Sequence, residues 1–122
     1  MVLIDTSVWI SLFRKRESDL GLKMWSLLHD NLIAICGQVL VEYVGGFRNE
    51  IERKNQEKKM LLFPFLDSPL QVYRIACSLM AKYPRLGASD SIIAATAMHH
   101  KALLFTLDKD FSVLEPEGLK LF

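Results

Sequence analysis

Four carboxylates of this 122-residue chain stand beside apolar segments, where an isolated charge is costly. Two carboxylates about 5 Å apart repel each other by roughly 3 kcal/mol at an effective dielectric constant of 20, so several in one cleft need a cation among them. Oxygen ligands without histidine or thiolate companions favour Mg²⁺ or Mn²⁺, and such an ion activates water and stabilises charge on a phosphoryl oxygen. The candidate metal ligands and catalytic residues are Asp5, Glu42, Asp90 and Asp108.

Each of these carboxylates also has a purely structural explanation. Asp5 and Asp90 have the residue type of helix N-caps, and Asp108 with Asp110 suits a turn. Glu42 is the hardest to explain in this way, because its helix is apolar almost all round and is predicted to be largely buried. An arginine could neutralise it, the candidates being Arg14, Arg48 and Arg85.

The elements that would position these acids are short apolar runs alternating with helical patterns, which predicts a parallel sheet covered on both faces. The predicted strands are 1–4, 32–36, 63–66, 102–105 and 119–122. Predicted helices follow Asp5 and cover about 18–30, 38–46, 48–62 and 70–82, and a sixth starts at Ser89 or Asp90 and runs to about 100. Ligands of such sheets bind beyond the carboxyl ends of the strands, and both Asp5 and Asp108 fall there.

Bulk composition limits the class of protein. The chain is 51% apolar and 24% charged, which is typical of a globular protein. A net charge of +1 does not by itself indicate a nucleic-acid-binding protein, so that question depends on where the charges lie. Its length suits one domain, residues 1–122. Two cysteines outside any metal-binding pattern, Cys36 and Cys77, are expected to be reduced and buried. With no signal peptide or membrane-length apolar run, we expect a soluble cytoplasmic protein.

Four motifs in order along the chain resemble the PIN domain, in the form found in VapC-type toxins of prokaryotic toxin–antitoxin systems. They are residues 2–10 (VLIDTSVWI), Glu42, residues 88–97 (ASDSIIAATA) and residues 106–111 (TLDKDF). Each motif alone is weak, but together they cover essentially the whole chain. The resemblance implies a three-layer α/β/α sandwich with a central, mainly parallel sheet.

The resemblance also implies Mg²⁺- or Mn²⁺-dependent cleavage of RNA, with Asp5, Glu42 and Asp90 as the core acids and Asp108 as the fourth. Asp110 would support or replace Asp108. Two hydroxyl residues, Ser7 and Thr106, match positions that hydrogen-bond a carboxylate or a metal-bound water. Homodimers and a cognate antitoxin protein are implied as partners.

Asp5, Glu42, Asp90 and Asp108 together are called the acidic group here. Substrate binding would need positive charge outside it. The candidate RNA-binding residues are Arg14, Lys15, Arg16 and Arg85, although cations at solvated helix ends explain them equally well. Two other functions remain open: a phosphoacceptor domain of the receiver type, and a non-catalytic interaction domain with an acidic pocket. A receiver normally has paired acids after its first strand, where this chain has Asp5 alone.

Overall fold

The structure, a computed structural model, describes residues 1–15 and 18–122 and contains a fully parallel four-stranded sheet. The strands are β1 (Val2–Ile4), β2 (Ile33–Cys36), β3 (Phe65–Leu66) and β4 (Leu103–Phe105), in the spatial order β3–β2–β1–β4. The chain moves from β1 towards β3 and then returns to place β4 on the other side of β1. The carboxyl ends of β1 and β4 therefore flank the point where the strand order reverses.

Helices connect every pair of consecutive strands, as parallel pairing requires. They are α1 (Thr6–Arg14), α2 (Ser18–His29), α3 (Gly37–Gly45), α4 (Glu50–Met60), α5 (Leu70–Lys82) and α6 (Gly87–His99). Two 3₁₀ segments cover Pro84–Leu86 and Lys109–Glu117.

The two faces of the sheet are buried in two hydrophobic clusters, because alternate side chains of a strand point to opposite faces. Val2 and Ile4 pack with side chains of α1 and α2, among them Val8 and Leu27. Leu3 joins the second cluster, which includes buried residues of α3, α5 and α6. The predicted α/β/α arrangement is confirmed.

Three predictions about the elements were wrong. Residues 119–122 do not form a strand and contribute only a single bridge between Leu104 and Leu121. The sixth helix begins at Gly87, so Asp90 lies within its first turn and is not its N-cap. Helix α3 buries only Val39, Tyr43 and Val44, and its Val41 is 69% exposed. Its apolar composition therefore does not correspond to burial on all sides.

The cysteines differ in their environments. Cys36 is buried at the end of β2, and desolvation raises the pKa of its thiol. Cys77 is exposed on α5, contrary to prediction, because it lies on the side of the helix opposite the buried Val72, Ala76 and Leu79. In the described part of the chain, no helix has the length and apolar character needed to cross a membrane.

Candidate active site

Asp5 directly follows β1 and is 4% exposed. Its backbone N–H donates to Phe105 O at 2.9 Å, which continues the pairing with β4, and its carbonyl accepts from the first turn of α1. The residue occupies the N-cap position, but its carboxylate makes no capping hydrogen bond. Helix capping therefore does not explain why a carboxylate is buried here.

Two hydroxyl groups hold the Asp5 carboxylate. Ser7 Oγ donates to Asp5 Oδ2 at 2.7 Å, and Thr106 Oγ1 donates to the same oxygen at 2.8 Å. Ser7 comes from the first turn of α1 and Thr106 directly follows β4, so the two bonds tie both strand ends to one oxygen. Among the described residues, the Asp5 carboxylate makes no side-chain hydrogen bonds other than these two, and both are to Oδ2. The lone pairs of Oδ1 are therefore available to a cation.

The segment after β4 folds around the same hydroxyls. Leu107 N donates to Ser7 Oγ and Asp108 N donates to Thr106 Oγ1, both at 3.0 Å. Asp108 Oδ1 in turn accepts from Asp110 N at 2.9 Å and caps the 3₁₀ segment that follows. Asp108 thus has the turn-forming role that its residue type predicts, and it also lies beside the group that holds Asp5.

Glu42 reaches this edge of the sheet from α3. Its side chain is exposed, and Thr6 Oγ1, next to Asp5, donates to Glu42 Oε1 at 3.2 Å. The prediction that Glu42 lies on a largely buried helix is wrong, since solvent reaches its side chain. None of the ion pairs between described residues involves Glu42, so the alternative of neutralisation by an arginine finds no support in the structure.

Thr6 is the residue that sequence analysis missed. It follows the candidate acid Asp5 at the first position of α1, and the hydroxyl at that position was the available signal. Gln38 Nε2 also donates to Ser89 Oγ at 3.1 Å, which joins α3 to α6 beside Asp90. Both contacts link separate elements around the acids.

Asp90 shows most clearly that the acids have been brought together. It is half-buried in the first turn of α6. Burial, with the negative charges of Asp5, Asp108, Glu42 and Asp110 in decreasing order, raises the pKa of the Asp90 carboxyl to about 6. Four acids from three other parts of the chain therefore act on one carboxylate.

The acids are neighbours without forming a closed ligand cage. Within residues 1–15 and 18–122, no three Asp, Glu, His or Cys side chains come close enough together to hold a metal ion. The donor chemistry nevertheless fits a hard divalent cation, because the group offers carboxylate and hydroxyl oxygens and its mutual repulsion is relieved by positive charge. Glu42 and Asp110 are exposed and can change rotamer to approach such an ion.

The candidate RNA-binding residues lie in two regions. Arg14 and Lys15 are exposed at the far end of α1, about 13 Å along the helix from Asp5 at a rise of 1.5 Å per residue. Arg85 is exposed in the 3₁₀ turn before α6, on the Asp90 side of the molecule. Arg16 lies outside the described residues.

The chain resembles known proteins in both sequence and fold. A sequence model of the PIN domain matches residues 2–115. A VapC ribonuclease of Mycobacterium bovis is 29% identical, aligned over 93% of this chain and 91% of its own, and ribonuclease VapC11 of Mycobacterium tuberculosis has the same values.

Solved structures share the fold at lower sequence identity. The VapBC2 complex of Rickettsia felis bound to a promoter DNA fragment has a chain that aligns with a TM-score of 0.81 at 20% identity, over 100% of this chain and 98% of its own. The FitAcB structure of Neisseria gonorrhoeae aligns with a TM-score of 0.78 at 21% identity, over 100% and 96%. These likenesses concern the fold of the whole described chain.

Proposed function

This chain belongs to the PIN domain family, and we propose that it is an endoribonuclease of the VapC type, the toxin of a type II toxin–antitoxin pair. The observation that carries the proposal is the half-buried Asp90 with four other acids close enough to raise its pKa to about 6. A group of like charges at the carboxyl edge of a parallel sheet is costly unless it binds something positive. The similarity to VapC ribonucleases identifies that chemistry as RNA hydrolysis.

We infer that Mg²⁺ or Mn²⁺ is the cofactor. Asp5, Glu42 and Asp90 would hold the ion, with Asp108 as the fourth acid and Asp110 in support. When bound, a divalent ion supplies an activated water and a positive charge for the phosphoryl oxygen. The oxygen-only donor set favours these ions over zinc.

Ser7 and Thr106 act as positioning residues. Their two hydrogen bonds fix Asp5 Oδ2 and thereby orient Oδ1. Partners of this kind typically change metal affinity or activity about 10- to 100-fold when removed. Thr6 holds Glu42 in the same way from the exposed side.

The test is cleavage of RNA by the purified protein with Mn²⁺, Mg²⁺ or EDTA. Asp5→Asn and Asp90→Asn should abolish cleavage, because each removes a charge that the ion requires. The circular dichroism spectrum of the folded protein should stay unchanged in both variants. Asp30→Asn, at an exposed position outside the group, is the matched control. Sequencing the ends should find 5′-phosphate and 3′-hydroxyl groups, and cleavage retained by both active-site variants would end the proposal.

We also propose that an antitoxin protein docks in an apolar groove between α1, α2 and α4. The groove has a volume of about 480 Å³, and its lining includes Trp9, Leu28, Met60, Leu62 and Phe63. Among the described residues, Trp9 Nε1 is buried without a hydrogen-bond partner, a cost that docking relieves only if the ring shifts to meet an acceptor on the antitoxin. Leu62 at the rim is 82% exposed.

The partner proposal is tested by co-expression with a candidate antitoxin that binds the wild-type chain. Leu62→Asp should weaken the complex at least tenfold, since it places a charge in an apolar contact. Leu22→Asp, which changes a leucine 69% exposed on α2 outside the groove, is the control. Equal affinities of the two variants would refute this docking site.

A homodimer through a second apolar surface is part of the proposal, with residues 1–122 acting as one nuclease domain. Val41, Phe65 and Tyr73 are exposed around one shallow pocket. Light scattering should give twice the chain mass of 14.0 kDa. Tyr73→Asp should reduce the measured mass to that of one chain. The PIN match leaves the receiver and interaction alternatives without support, and acyl phosphate labelling would test the former.

A further inference from the structure

A second groove lies beside the acidic group, between the end of α5 and the 3₁₀ segment Lys109–Glu117. Its volume is about 440 Å³, within the range of small-ligand sites. Asp110 belongs to its wall and donates its backbone N–H to Asp108 Oδ1 at 2.9 Å, so the groove opens next to the proposed catalytic acids. The lining residues used below are Lys82, Tyr83, Arg85, Asp110 and Val113.

The ring of Tyr83 is held in the wall of this groove. Its hydroxyl donates to Glu117 Oε1 at 2.8 Å, and Lys82 pairs with the same carboxylate oxygen. The Lys82 ammonium group also lies 5.8 Å from the centre of the Tyr83 ring. Lys82 lies over the ring, so a base that stacks on that face takes the place of the ammonium group, and the anchored ring adds little cost in conformational entropy.

Arg85 is the other cation of the groove. Lys82 is already paired with Glu117, whereas Arg85 takes part in none of the ion pairs formed between described residues. Its guanidinium group is exposed and suited to bidentate contact with a phosphate. The groove thus combines an available cation with a fixed aromatic face, the pair of features by which proteins bind single-stranded RNA.

We propose that this groove binds the nucleotide next to the scissile phosphodiester, with Arg85 on its phosphate and Tyr83 stacked on its base. The inference rests on the proposed ribonuclease function and adds a substrate-binding subsite to it. An acidic peptide would use Arg85 but not the aromatic face. Tyr83 and Arg85 therefore contribute to substrate affinity and base preference rather than to the chemical step.

The first experiment follows cleavage of a labelled RNA by wild type and Arg85→Ala over a range of salt concentrations. Arg85→Ala should raise KM about tenfold or more, the loss expected for one charge-assisted hydrogen-bonded contact, and leave kcat nearly unchanged. The slope of log affinity against log salt should fall by about 0.7, the value for one phosphate of a single strand. Arg85→Lys should restore the slope, and Arg74→Ala, at an exposed position on α5, should change neither quantity.

The second experiment replaces single bases around the cleavage site by abasic nucleotides. At one flanking position wild type should lose about 5- to 100-fold in affinity, as expected for one stacked base. Tyr83→Leu should be insensitive to that change. Tyr83→Phe, which keeps the aromatic ring and lacks only the hydroxyl, should respond as wild type does.

The outcomes separate this inference from the function on which it rests. Cleavage by wild type together with an unchanged KM and salt slope in Arg85→Ala overturns the subsite alone. The same is true if Tyr83→Leu responds to abasic positions as wild type does. A wild-type protein that cleaves no RNA with either metal rejects both proposals.

Discussion

The charge of Asp90 should destabilise the protein in the absence of a divalent ion. A carboxyl group with a pKa of about 6 in the folded state and about 3.9 in the unfolded state favours folding when protonated. This contribution is fully present below about pH 4 and is lost as the pH rises through 6. Two pKa units correspond to about 3 kcal/mol as a ceiling, and because Asp90 is only half-buried we reduce this to roughly 1 kcal/mol.

Asp90→Asn removes the charge and keeps the size of the side chain. In EDTA at pH 7.5 the variant should unfold about 3–5 °C above wild type, the shift that 1 kcal/mol produces in a chain of this length. At pH 5, midway between the folded and unfolded pKa values, the difference in midpoint should fall to about half, and it should vanish only below about pH 4. Saturating Mn²⁺ should make wild type the more stable of the two proteins. Binding adds about 2.7 kcal/mol to the stability of wild type when Mn²⁺ is present at 100 times its dissociation constant, and it adds much less to that of the variant.

The assay is thermal unfolding followed by circular dichroism at both pH values, with EDTA or Mn²⁺. Asp30→Asn serves as the control, since its exposed carboxylate lies outside the acidic group and should change the midpoint little under any condition. A variant no more stable than wild type in EDTA at pH 7.5 would refute the repulsion argument. A gap that persists unchanged at pH 5 would refute its assignment to the ionised carboxylate.

Three further predictions concern the hydroxyl network, the core and the cofactor. Thr106→Val should lower kcat about 10- to 100-fold, because it removes the hydroxyl that holds Asp5 and accepts from Asp108 N, while Thr106→Ser keeps most activity. Tyr43→Phe should cost about 1 kcal/mol in urea unfolding, because Tyr43 Oη donates to Gln56 Oε1 at 2.9 Å inside the protein. EDTA should abolish cleavage in a gel assay and added Mn²⁺ should restore it; cleavage that survives chelation would contradict the metal proposal.

Most of the fold could be predicted from local patterns. Apolar runs such as residues 1–4 and 102–105 are short and bounded by polar residues, and helices with periodic apolar faces separate them, so a parallel sheet was expected. The bounds of α6 were less accurate, because the signal at Ser89 and Asp90 resembles an N-cap while the helix starts two residues earlier, at Gly87. The C-terminal segment 119–122 has strand composition but only one bridge to β4.

The mistaken prediction for α3 has a different physical origin. The hydrophobicity of a side chain indicates that it is more stable out of water. It does not indicate whether the same chain or another molecule covers that side chain. Val41 is apolar and exposed, and Glu42 beside it is open to solvent. Local sequence therefore identified Glu42 as unusual but gave the wrong reason.

The sequence by itself determined which side chains are available for chemistry: oxygen donors after β1 and β4, with a glutamate on α3 and an aspartate on α6. Only the tertiary structure decided that they meet, because the strand order β3–β2–β1–β4 brings the ends of β1 and β4 together and the packing of α3 and α6 is non-local. The hydrogen bond from Thr106 to Asp5 Oδ2 joins residues 101 positions apart. No local pattern encodes such a contact, since it depends on the register between elements that only folding establishes.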